Sequence, residues 1–409
     1  MKNSSILFLL ITLLILPLVC IGAADFGLLI NQNAGVSGAS SSDDAAFEYN
    51  VTVLPRFSFL VGDAGSFFIS AGLTLDYAGE ETSFIPELMR TEFSMLFGAV
   101  GIKAGRIGYS TPLPFIAEGL FDGFQLTHSS KAGKFALGAW YTGLLCKKSL
   151  NITMTAEDAN YYGTPIDIEN LADTYFASKR MLISADWEHL SILDMFSLKT
   201  AITGQFDLND NDAKYNSQYF ILKAGIPVNR LLFELGGSLG ISQNDPEIDG
   251  ASNVALAGEF GIIYTLPASF NSRLAFNAIY SSGKVEDGLD AFVPITVKQY
   301  GTIFQSKIMG LTVMSLDYSA RIAQSLGASF TASYFIRNDL MMYDVLPVNE
   351  SGEDGHFLGG EFFGKLVWSP VSDLQFIFGG GMFVPAMGNN WSDSDPVWKV
   401  NLSVSLSVR

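Results

Sequence analysis

Beyond residue 24 the chain holds no uninterrupted apolar stretch of the ~18 or more residues from which a membrane-spanning helix is made, although 48% of its 409 residues are hydrophobic. The apolar residues instead alternate with polar or small ones in segments of about ten residues, each bounded by Gly, Pro, Asn, Asp or Ser, as strands of a sheet with two unlike faces require. Between Ser252 and Tyr264, the residues Val254, Leu256, Gly258, Phe260, Ile262 and Tyr264 share one face, and Asn253, Ala255, Ala257, Glu259 and Gly261 share the other. The last segment sets Trp398, Val400, Leu402, Val404, Leu406 and Val408 against Lys399, Asn401, Ser403, Ser405 and Ser407. One face is greasy and the other wet.

Two architectures bury such strands. A soluble sandwich turns its apolar faces toward each other, and a membrane barrel turns them toward lipid with its polar faces around a lumen. Composition favours the barrel: only 16% of the residues are charged, against about 25% for an average soluble domain, so the surface must be largely apolar. With 41 acidic and 24 basic side chains, a net charge of -17 and 32 Phe, the chain lacks the basic face of a nucleic-acid binder and the low hydrophobicity of a disordered one.

Connection lengths point the same way. Short links at 62–65, 130–133, 227–229, 266–269, 323–326 and 369–372 alternate with long ones at 79–88, 109–120, 147–173, 242–251, 282–310, 338–355 and 385–396. Tight turns at one end and long loops at the other are the plan of an outer-membrane barrel. The strand-like stretch 297–309 breaks the alternation if counted, so it is assigned to an outer loop. The fold predicted is all-β, a transmembrane antiparallel up-and-down β-barrel of about 18 strands (16–18), the even number that single-chain bacterial barrels use. Tyr49, Tyr77, Tyr175, Trp187, Tyr264, Tyr280, Trp368 and Trp398 fall near predicted strand ends, as interfacial girdles do.

The N-terminus reads as an export signal: Lys2, an apolar run from Ile6 to Cys20 broken by Pro17, and Gly22-Ala23-Ala24 before Asp25. Residues 1–24 are therefore expected to be cleaved, leaving 25–409 as one barrel domain with long acidic outer loops. After cleavage Cys146 is the sole cysteine, which excludes an intrachain disulfide.

The stretch Ala104-Gly-Arg-Ile-Gly-Tyr109, with Leu120-Phe-Asp-Gly-Phe124, resembles the paired strands of outer-membrane porins of the alginate-export family. In that family a Gly-Arg strand end is followed by a loop and an Asp-Gly strand start. Leu358-Gly-Gly-Glu361, Leu366-Val-Trp-Ser-Pro370 and Phe378-Gly-Gly-Gly-Met-Phe383 with Pro385 are similar to the family's Gly-x-Glu strand and its Gly-rich successor. The resemblance implies an 18-stranded channel for anionic polysaccharide with a basic lumen, and carries over Arg106, Asp122 and Glu361 as lumen groups. Strand phasing gives a mixed lumen. It places Arg56, Lys103, Arg106, Arg180, Lys199, Lys223, Arg230, Arg273, Arg321, Arg337 and Lys365 on the inner wall, together with Asp76, Asp122, Asp186, Glu188, Asp207, Glu234, Glu259, Asp317 and Glu361.

Glu157-Asp158, Asp245-x-Glu247-x-Asp249, Glu286-Asp287 and Glu353-Asp354 concentrate negative charge in the loops, where it sets the potential at the mouth. The Pro-containing apolar segment 109–117 is too hydrophobic to stand in water. It is expected to fold into the mouth as a constriction built on Pro112, Pro114 and Phe115, with the 292–310 stretch as a second candidate. His128, His189 and His356 lie in no nucleophile or metal-ligand motif, so neither catalysis, a metal nor a cofactor is expected. The reading is a porin in the outer membrane of a double-membraned bacterium, passing small hydrophilic solutes by passive diffusion. Its partners are outer-membrane lipid, those solutes, and the periplasmic chaperones and barrel-assembly machinery, with no nucleic acid. A hydrophobic-substrate transporter of the fatty-acid type, or a surface adhesin acting through its loops, is the alternative.

Overall fold

The alternating segments fold as strands, and each pairs antiparallel with the next along the chain. The computed structural model describes residues 24–40, 45–78, 81–167, 169–210, 214–244, 252–267, 271–284, 288–339, 356–385 and 395–408. In order the strands are β1 (Ala24–Ala39), β2 (Ala45–Val61), β3 (Gly65–Ala78), β4 (Glu81–Phe97), β5 (Val100–Ser110), β6 (Glu118–Ser130), β7 (Gly133–Tyr141), β8 (Arg180–Ile192), β9 (Phe196–Asp207) and β10 (Tyr215–Val228). They continue as β11 (Leu231–Asn244), β12 (Ser252–Thr265), β13 (Arg273–Ser281), β14 (Gln299–Tyr300), β15 (Ser306–Lys307), β16 (Leu311–Ala323), β17 (Leu326–Arg337), β18 (Phe357–Val371), β19 (Leu374–Pro385) and β20 (Val397–Val408).

All but β14 and β15 form one 18-stranded sheet, and β20 pairs back onto β1 from Leu28 opposite Val408 to Ala39 opposite Val397. This last ladder closes the barrel and removes the edges, the condition for a sheet to stand in lipid with every backbone group paired. Strand number in this range leaves an interior wide enough for water unless other parts of the chain fill it.

The two faces are as the alternation requires. Val254, Leu256, Phe260 and Tyr264 on β12 are exposed on the outside, and Ala255 and Ala257 between them are buried on the inside. Leu73, Leu75 and Tyr77 on β3 join the same outer apolar surface. Tight turns at one end rely on the left-handed backbone that short hairpins need: Gly62 sits at φ 60° and Asn229 at φ 54°. The stretch 297–309 stays out of the barrel, contributing only the two-residue pair β14 and β15.

The structure corrects the reading at 79–88. Residues 81–88 are strand and not loop, because β3 and β4 stay paired from Ala71 opposite Leu88 to Ala78 opposite Glu81. Glu81, Thr82, Ser83 and Pro86 look like loop chemistry in sequence. They belong instead to the upper half of a 17-residue strand, whose pairing with β5 stops at Thr91 opposite Arg106. Above that fork, β4 has no β5 partner, and a proline is tolerated on such a free edge because the missing N–H would have bonded nothing. The expected girdle residue Tyr175 is likewise displaced: it lies in the 142–179 connection and donates its hydroxyl proton to the Pro86 carbonyl at 2.7 Å.

Candidate functional site

Three outer connections fold back against the inner wall. The Thr111–Ala117 link is tied at its base by Thr111 N–H donating to the Ala117 carbonyl, and its Leu113, Phe115 and Ile116 are almost fully buried. A Cβ on Gly236 of β11 would collide with Leu113, so the loop crosses to strands far from its own roots and rests where the wall offers only a hydrogen atom. Phe115 meets Phe292 of the 282–310 connection edge-on at 6.3 Å, and Ile295 N–H donates to the Ile116 carbonyl at 2.7 Å. The third connection joins through Val297 N–H to the Asn151 carbonyl, and Leu145, Leu150, Ile152 and Met154 pack into the same apolar cluster with inward Tyr109, Phe121 and Trp140. Pro112 and Pro114 are half-buried and line a 440 Å³ cavity under the loop.

A row of charge in register surrounds that cavity. Lys134 on β7 lies opposite Glu188 on β8, Glu188 opposite Lys199 on β9, Lys199 opposite Lys223 on β10, Lys223 opposite Gly236, and Gly236 opposite Glu259 on β12. Lys199 and Lys223 face each other across two strands, a repulsive arrangement unless compensated. Lys199 Nζ is 2.7 Å from Glu188, and Lys223 Nζ is 2.6 Å from Glu259 and 3.4 Å from Glu234. Strand phasing includes Glu188, Lys199, Lys223, Glu234 and Glu259 on the inner wall and omits Lys134. That these charges line up in one row is set by register, which one strand's alternation cannot supply.

Other predicted wall residues face inward with local partners. Lys103 lies 3.1 Å from Glu92, which Arg90 also pairs. Arg56 donates to Ser407, Asp76 is reached by Lys148 at 3.7 Å, and Asp317 accepts from Asn277, Ser315 and Thr331. Arg321 donates to the Gln324 carbonyl at the turn, Lys365 sits 5.5 Å over the Phe363 ring, and Arg273 is exposed at the start of β13.

Five placements differ from an open lumen wall. Arg106 and Asp122 alternate with inward Ile107 and Phe121, which puts them on the opposite face. There they form a two-pronged pair at 2.9 and 2.8 Å, and the same guanidinium donates to the Leu88 and Leu144 carbonyls. Arg180 is wholly buried between Asp158 and Asp207, each at 2.5 Å. It anchors the 142–179 connection to the wall, and it takes Asp158 of the Glu157-Asp158 cluster out of solvent. Glu361 is buried, and its carboxylate accepts the backbone N–H groups of Thr302, Ile303 and Phe304, pinning the 282–310 connection. Arg337 is buried at the end of β17, beside the His356 carbonyl that its N–H reaches. Asp245, Glu247, Asp249, Glu286, Asp287, Glu353 and Asp354 lie outside the described residues.

In the 142–179 connection, burial lowers the Lys147 ammonium below its ordinary pKa. The charge is held by the Tyr161 carbonyl at 3.0 Å, by Thr164 Oγ1 at 2.9 Å and by the Tyr161 ring at 4.4 Å. Burial pushes the neighbouring Cys146 thiol up, with Glu87 adding to the shift. Among the described residues no three His, Cys, Asp or Glu side chains converge as a metal site.

Closed antiparallel pairing, an apolar exterior and a charged interior define an 18-stranded transmembrane β-barrel. Among solved structures the chain is similar to OccK11 (OpdR) of Pseudomonas aeruginosa, with 13% identity, a TM-score of 0.59 and coverage of 94% of this chain and 96% of that one. It is similar to OpdQ of the same organism at 14% identity and TM-score 0.59, covering 95% and 99%. It is also similar to OccK2 (OpdF), solved in complex with glucuronate, at 11% identity and TM-score 0.57, covering 95% and 98%. At these identities the likeness is one of fold. No protein-family model and no curated protein matches the sequence, so the resemblance to alginate-export porins rests on its short motifs alone.

Proposed function

We propose that this chain is an outer-membrane porin through which small hydrophilic solutes diffuse passively. The observation that carries the reading is the register row of lysines and carboxylates along a 440 Å³ chamber, directly beneath a loop inserted from the outer end. An adhesin has no use for charge turned inward, and a carrier of apolar molecules gains nothing from it. The Thr111–Ala117 loop and the 282–310 connection narrow the passage, so solute size is set by loops and solute charge by the wall.

Because Lys199 and Lys223 are each paired with carboxylates, the wall presents both signs rather than one basic surface. That pattern suits small solutes, and it disfavours the anionic polysaccharide implied by the alginate-export motifs. The fold neighbour solved with glucuronate supports a small polar solute as cargo. Residues 1–24 direct export and are removed, and assembly machinery of the envelope inserts the barrel. Liposome swelling with uncharged sugars of increasing size tests the reading. Influx that falls steeply between monosaccharides and trisaccharides is expected, and no influx of any sugar through inserted protein would overturn it.

A further inference from the structure

We propose that the chamber under the Thr111–Ala117 loop is a binding station for zwitterionic solutes of amino-acid to dipeptide size. Lys134 would take the carboxylate and Asp186 the ammonium. The inference deepens the porin reading and rests on it.

Lys199 is satisfied by Glu188, and Lys223 by Glu259 and Glu234. Two charged groups lining the same 440 Å³ cavity are left over. Lys134 is exposed on the inner face of β7 and makes no ion pair among the described residues. Asp186 on β8 is half-buried and accepts only from hydroxyls, Ser184 Oγ at 2.5 Å and Tyr109 Oη at 3.4 Å. Lys199 is its diagonal neighbour on β9 but is paired to Glu188, and no cation among the described residues lies within ion-pair distance of Asp186.

The spacing follows from the ladder. Lys134 is opposite Glu188, and Asp186 is opposite Ala136, so the two are diagonal neighbours with Cβ atoms roughly 7–8 Å apart. The flexible lysine stem adjusts the distance between the two charges. The Asp186 carboxylate is held in place by two hydroxyls, and a fixed acceptor costs less ordering on binding than a free one. A solute with both charges separated by a few ångströms satisfies both groups at once. One with a single charge leaves the other group uncompensated, and an uncharged one compensates neither.

The test uses the full refolded barrel in a planar bilayer in KCl. Four probes of nearly equal size are compared: glycylglycine (zwitterion), N-acetylglycine (anion), glycylglycinamide (cation) and N-acetylglycinamide (neutral). Glycylglycine is expected to reduce the ionic current saturably, at concentrations where the other three act only weakly. Lys134→Met and Asp186→Asn should each raise its half-saturating concentration by about tenfold while KCl conductance persists. Lys134→Glu, at an exposed wall position, should abolish saturation by glycylglycine and favour glycylglycinamide. KCl steps with equal response to all four probes would overturn this proposal and leave the porin reading standing. The same is true of steps whose glycylglycine response is unchanged in all three variants. Absence of KCl steps from inserted wild-type protein would overturn both.

Discussion

Arg106 shows how a side chain can finish what a strand ladder leaves open. Above Thr91 the wall forks, and the free edge of β4 presents its Leu88 and Pro86 carbonyls. Arg106 donates to the first and Tyr175 to the second, and Asp122 fixes the guanidinium by two prongs. Removing the arginine leaves a carboxylate and two carbonyls without donors, so Arg106→Ala should cost about 3 kcal/mol. A lower temperature for the band shift between folded and heat-denatured protein on gels checks this, and Arg106→Lys should recover little of the loss because a point charge cannot serve four acceptors. An unchanged transition would mean the fork is held elsewhere. Cys146 belongs to the same seam. It is fully buried with its thiol pushed up, so less thiolate exists at a given pH than for a free cysteine, and thiolate is the reactive form. A maleimide at pH 8 should leave the folded barrel unlabelled and label it fully after denaturation; rapid labelling of folded protein would show that the 142–179 connection opens.

Among the elements, the strands were legible because alternation and turn residues are local signals. Segments such as Ser252–Thr265 declare both faces within their own sequence. The 79–88 error has a physical origin: where strands rise past the lipid, water wets both faces and the apolar-polar contrast fades, so a strand carrying Glu81, Thr82 and Ser83 reads as loop. The inserted segment at 111–117 was readable for the opposite reason, being too apolar for a solvated link. Its landing point on Gly236 was not, since nothing near 111 in sequence points to β11. The outward placement of Arg106 and Asp122 follows from their alternation with Ile107 and Phe121, although Gly105, at φ 107°, interrupts regular backbone just before Arg106 and blurs the phase there. If the loop narrows the passage, deleting residues 111–115 should raise single-channel conductance; an unchanged conductance would assign the constriction to the 282–310 connection, which Glu361 pins.

At the scale of the whole molecule, closure of β20 onto β1 gives the wall its stability in lipid, and in the proposed function the loops packed inside decide what passes. Much of the outer half of the interior is occupied by the cluster around Tyr109, Phe115, Trp140 and Phe292, so the account requires a continuous wet path past these loops. The most direct measurement is single-channel current from refolded, inserted protein, with the reversal potential recorded across a KCl gradient. Discrete ohmic steps are predicted, with a reversal potential well short of that of an ideally selective pore, because lysines and carboxylates both line the chamber. Silence from protein shown to be folded and inserted would contradict the central claim, and near-ideal selectivity would contradict the mixed wall.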